Sequence, residues 1–88
     1  MRQLIRAGQF KKDVKRAVKQ GKDMEKLKAL LSLLIEDQDL PLEYRDHSLK
    51  GNWEGYRDAH IEPDWLLIYQ IDGECLKLAR TGSHSELF

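Results

Sequence analysis

The sequence has a single cysteine, Cys75, so no disulfide can form within the chain. That suits a reducing compartment rather than a secreted, disulfide-stapled scaffold. It has no long apolar run. The longest uninterrupted one, Trp65 to Tyr69, is far too short to span a bilayer. The first residues, MRQLIRAGQFKK, have neither the apolar core nor the small-residue cleavage site of a signal peptide. The expectation is a cytoplasmic protein with no membrane partner. A glycine-rich phosphate loop is absent, which argues against a nucleoside-triphosphate enzyme. There is no paired cysteine motif, and the histidine spacings match no compact zinc pattern, so no metal and no cofactor are expected. Two prolines and six glycines punctuate the chain without forming a linker. No repeat is visible, and 88 residues make one domain, residues 1–88.

What is present is a globular composition. Apolar residues make up 41% and charged residues 34%, too much hydrophobic content for a disordered segment. The net charge of zero hides a split. Residues 1–28 carry ten Lys or Arg against three acids, while residues 29–88 carry five basic and twelve acidic side chains. Such asymmetry points to a polyanionic or acidic partner for the basic half. A solvated, lysine-rich helix face is the alternative.

Residues 2–6 read as a short first strand. Phe10, Val14, Ala17 and Val18 follow the spacing of one helix face, and Gly21 is placed to end that helix in a left-handed conformation. Asp23 is an N-cap for a second helix, whose stripe is Met24, Leu27, Leu30, Leu31 and Leu34. Pro41 marks a break, and residues 40–55 read as irregular. Tyr56 to Ile61 alternates as a strand, with Tyr56, Asp58 and His60 on one face. Glu62-Pro63-Asp64 is a turn. Trp65 to Ile71 is apolar on both faces, as a central strand is. Asp72-Gly73 signals a hairpin into a strand over Glu74–Arg80. Thr81-Gly82-Ser83 then loosens the chain. The expected fold class is α+β: two layers, two N-terminal helices packed as a hairpin on an antiparallel sheet, order β-α-α-β-β-β. The far sheet face, without a helix, is left open for a ligand.

Three histidines, His47, His60 and His84, all fall at loop, strand-end or tail positions. Imidazole gives and takes protons near neutral pH, which RNA cleavage by 2′-hydroxyl attack requires. Asp64 is a further candidate for proton work, and Arg80 for charge at the transition state. Trp65, Tyr56 and Phe88 offer faces on which bases could stack. Each has a plainer reading. Asp58 and Asp64 suit a surface position and a turn, Trp53, Trp65 and Tyr69 suit the core, and Cys75 suits a buried thiol.

The stretch from Asp46 to Tyr69, DHSLKGNWEGYRDAHIEPDWLLIY, strongly resembles YafQ-type toxins of the RelE superfamily. So do the ending Arg80 to Phe88 and the Lys22-Asp23-Met24 start of the leucine-rich helix. The likeness covers nearly the whole chain. It implies a RelE-like fold, in agreement with the element order. It implies a toxin of a type II toxin–antitoxin system that cleaves mRNA in the ribosomal A site without a metal. Members of that type prefer an in-frame lysine codon. The implied partners are a DinJ-like antitoxin, the ribosome and mRNA, with operator DNA reached only through the antitoxin.

By the same resemblance, His47, His60, Asp64 and His84 are the catalytic set. His84 is the candidate general acid, and His47 and His60 are candidates for base or transition-state stabiliser. Asp64 orients a histidine. Trp65 and Phe88 serve substrate placement and site structure, with Asp58 and Arg80 as lesser contributors. Two rival functions stay open: a ParE-like toxin that binds gyrase and is no nuclease, and an inactive, antitoxin-bound repressor component. The histidine set argues against both.

Overall fold

The computed structural model describes residues 2–88. Strand β1 (Gln3–Arg6) leads into helices α1 (Gly8–Lys19) and α2 (Met24–Ile35). A two-residue strand β2 (His47–Ser48) follows, then β3 (Arg57–Glu62), β4 (Trp65–Asp72), β5 (Cys75–Gly82) and a terminal helix α3 (His84–Leu87). Gly21 adopts φ 78°, the left-handed conformation that glycine takes without steric cost after a helix. Asp23 caps α2, its carboxylate accepting from the Glu25 backbone N–H at 3.0 Å. No helix among the described residues is long and apolar enough to cross a membrane.

The five strands form one sheet in the order β1-β5-β4-β3-β2. β2 to β5 are antiparallel neighbours, as a meander of short turns dictates. β1 departs from the expected antiparallel sheet. It runs parallel to β5, pairing Gln3 with Cys75 through Arg6 with Leu78, so the sheet is mixed. Parallel pairing needs a long crossover, and the two helices supply it.

The helices cover one face, α1 lying mainly along β5 and α2 reaching β3. Phe10, Ala17, Leu27, Leu30 and Leu34 pack there on Ala59, Trp65, Leu67, Tyr69, Leu76 and Leu78. The apolar face expected for α1 is corrected: Val18 is 55% exposed, and the charged Asp13 is buried in its stead. The far face is not left open either. α3 folds back on it, and Leu87 joins Leu66 and Ile68 beneath Leu49, Trp53 and Tyr56. Segment 81–83, expected to loosen, instead ends β5 and caps α3.

Candidate active site

Strand register gathers the histidines. His60 on β3 pairs with Leu66 on β4, and Leu66 pairs with Gly82 on β5. Two residues before Leu66 is Asp64, and two after Gly82 is His84. One end of the sheet therefore brings His60, Asp64 and His84 together. On the other flank, β2 pairs His47 with Asp58. The rings form a row: centroids are 6.2 Å apart for His47 and His60, and 5.7 Å for His60 and His84.

The outer two imidazoles are anchored alike. His84 Nδ1 lies 2.7 Å from Asp64 Oδ1, which also accepts the His84 backbone N–H at 2.9 Å. His47 Nδ1 lies 2.9 Å from the Arg45 carbonyl oxygen. A carbonyl can only accept, so Nδ1 of His47 carries the proton. A carboxylate imposes the same on His84. In both rings the anchored Nδ1 leaves Nε2 as the nitrogen for chemistry. The two donors from His84, backbone first, hold the Asp64 carboxyl below its ordinary range.

Asp58 lies beneath the row, only 3% exposed. Its Oδ1 is 3.0 Å from His47 Nδ1, yet has no hydrogen-bond donor, because that proton is aimed at Arg45. The two groups are close but not hydrogen-bonded. Burial pushes the Asp58 carboxyl up, against the opposing pull of His47, His60 and His84. His60 Nδ1 is likewise buried without a partner. Unmet polar groups of this kind cost stability and concentrate at functional sites.

Two residues expected to contact substrate are engaged within the fold. Trp65 is fully buried, its Nε1–H donating to Thr81 Oγ1 at 2.9 Å and Lys22 lying over its ring. In the free chain its ring is part of the core. Arg80 turns its guanidinium onto Asp13, at 2.7 Å through Nε, rather than toward the histidines. Phe88, 60% exposed, keeps a face free. Tyr56 is half-buried against Trp53 and the far-face core. Sequence reasoning missed Asp46, Arg57 and Tyr69. The Asp46 carboxylate is gripped by Arg57 through Nε and Nη2 and by the Tyr69 hydroxyl. This ion pair raises the Arg57 pKa, and burial followed by Asp46 raises that of Tyr69. The available signals were the adjacency of Asp46 to His47 and the place of all three residues in the stretch Asp46–Tyr69 that carries the family resemblance. A cleft of about 430 Å³ opens beside the row, with His60, Tyr44, Arg45 and Lys26 in its walls.

Comparison with known proteins identifies the family and the fold. The family model described as the bacterial toxin YafQ of type II toxin–antitoxin systems matches residues 2–88. The mRNA interferase toxin YafQ of Escherichia coli K12 is 55% identical over 83 residues, covering 93% of this chain and 90% of its own. In the crystal structure of the E. coli DinJ–YafQ complex, the matching chain is 53% identical, covered to 99% and superposed at a TM-score of 0.93 over 100% of this one. A metal-bound toxin from Helicobacter pylori is 42% identical, with full coverage of both chains and a TM-score of 0.94. Among the described residues here, no group of three or more His, Cys, Asp or Glu is arranged to hold a metal ion. The chain belongs to the YafQ family of bacterial type II toxin–antitoxin toxins.

Proposed function

We propose that this chain is an endoribonuclease that cuts mRNA in the ribosomal A site by histidine acid–base chemistry and is neutralised by a DinJ-like antitoxin. The observation that carries the reading is the pair of imidazoles tied through Nδ1, His47 to the Arg45 carbonyl and His84 to Asp64. Their Nε2 atoms are left for proton transfer on either side of His60. The E. coli relative is named an mRNA interferase, and another is solved with DinJ.

In this mechanism His47 takes the proton from the 2′-hydroxyl. The freed oxygen attacks the adjacent phosphorus, and the bond from phosphorus to the 5′-oxygen breaks. His84, protonated and oriented by Asp64, gives its proton to that leaving oxygen. His60, between them, faces the phosphoryl oxygens and stabilises their charge when protonated. Arg80 is paired with Asp13 in the free chain. Phe88 offers an exposed ring to a neighbouring base.

The test is a cell-free translation reaction with purified toxin, new 5′ ends being mapped by primer extension. Cuts at in-frame codons are expected. They should require ribosomes and His84. An intact message with a folded toxin overturns the reading and favours the gyrase-binding or repressor alternatives.

A further inference from the structure

His47 stands on the weakest element of the site. Strand β2 is two residues long and lies at the edge of the sheet, paired only through His47–Asp58 and Ser48–Arg57. So short a ladder cannot fix an imidazole, whose ring is 55% exposed. Two acceptors compete for its Nδ1 proton: the Arg45 carbonyl at 2.9 Å and Asp58 Oδ1 at 3.0 Å. The carboxylate is the stronger acceptor, since charge-assisted hydrogen bonds exceed neutral ones. Yet the proton is aimed at the carbonyl, and Asp58 Oδ1 is left unmet. Something must hold that carbonyl in place.

The backbone at Arg45 is unusual. Its φ of 48° and ψ of 41° are left-handed, a conformation that a long L side chain rarely adopts. A residue kept there must be over-determined by its surroundings. On one side, the Arg45 N–H closes the preceding 3-10 turn on Leu42 at 3.0 Å. On the other, Asp46 is held to the sheet by Arg57, at 3.1 Å from Nε and 2.8 Å from Nη2, and by the hydroxyl of buried Tyr69. Arg57 and Tyr69 are cross-strand partners on β3 and β4, so the grip is on the rigid centre of the sheet.

We propose that Asp46 is a positioning residue of the reaction: clamped by Arg57 and Tyr69, it fixes the left-handed turn at Arg45, whose carbonyl receives the His47 Nδ1 proton and so keeps Nε2 toward the substrate. The clamp keeps the ring from swinging onto Asp58. This rests on the ribonuclease reading for its consequence, but not for its geometry.

The test follows the hydrogen bond and the chemistry separately. In isotope-labelled protein, a scalar coupling across the hydrogen bond links His47 Nδ1 to the Arg45 carbonyl carbon. It is expected in the wild type and lost in Asp46→Ala. Single-turnover cleavage by Asp46→Ala should fall by roughly tenfold or more with KM nearly unchanged, because the group is misplaced rather than removed. Adding Arg45→Gly, which makes the left-handed turn intrinsically favourable, should recover part of both signals. Should Asp46→Ala fail to fold, Tyr69→Phe removes one donor while keeping the core ring, and a weakened coupling is expected. A coupling that persists in these variants, or is missing from the wild type, overturns the proposal. A coupling that behaves as expected in a wild type that cuts no message would support the clamp and sink only the ribonuclease reading.

Discussion

Asp13 occupies a place on α1 where the helical spacing calls for a hydrophobic side chain. Its carboxylate is fully buried and accepts from Arg80, Arg16, Gln9 and the Thr81 backbone N–H. Burial pulls its pKa up, but Arg80, Gln9 and Thr81 outweigh that and leave it below the ordinary value. A carboxyl depressed in the folded state adds stability above the unfolded value of 3.8, which is lost as pH falls through the folded one. Asp13→Ala should therefore cost about 3 kcal/mol, since it leaves Arg80 facing a buried gap, and should blunt the acid sensitivity of the melting temperature. An unchanged melting curve would show that the network is idle. Sequence periodicity could not place Asp13, because it assumes that charge faces water; Val18 took the predicted position and is exposed. Asp64 was legible by resemblance, and geometry now gives it a task. Asp64→Ala should lower kcat by about 10²-fold or more while leaving ribosome binding intact, because it frees the ring of the proposed general acid. Equal loss in binding and turnover would assign Asp64 to substrate contact instead.

Two of the shortest elements, β2 and α3, carry the outer histidines, and neither was read from periodicity. A two-residue strand has no period to detect. Four residues of helix do not persist in water, and α3 stands only because its ends are tied. Ser83 and Glu86 form a reciprocal capping box, and Glu86 also meets Arg16 at 3.1 Å, fastening α3 to α1. That box was visible in the sequence as Ser83-x-x-Glu86, a known start signal for a helix that the glycine beside it obscured. The parallel placement of β1 had no local signal at all, since pairing partners are chosen by the sheet and not by the strand. Ser83→Ala should cost about 1 kcal/mol and lower turnover more than affinity, through a looser His84. Calorimetry and single-turnover cleavage on one preparation check both halves, and a stability loss with unaltered turnover would detach the cap from catalysis.

At the scale of the whole molecule, charge is sorted along the chain, and the fold pairs part of it off, joining Arg2 to Asp37, Arg16 to Glu86 and Lys26 to Glu62. Most of the acids lie after residue 28, around the turns and the histidine row, whereas Lys11, Lys12 and Lys15 stand exposed on α1. Two of them, Lys11 and Lys15, rim with Arg6 a groove of about 310 Å³ that Phe10 and Val14 also line. A ribosome presents RNA phosphate over any surface that docks on it, and each lysine placed against phosphate releases a counterion, so its contribution weakens as salt rises. Changing Lys11, Lys12 and Lys15 together to Glu should therefore weaken ribosome binding at low salt and flatten the dependence of affinity on salt. The melting temperature should hardly move, because these side chains are exposed. Sedimentation with ribosomes at two salt concentrations reads both effects. Equal affinity for wild type and variant at both salts would mean that this face does not meet the ribosome, and that the lysines only solvate the helix.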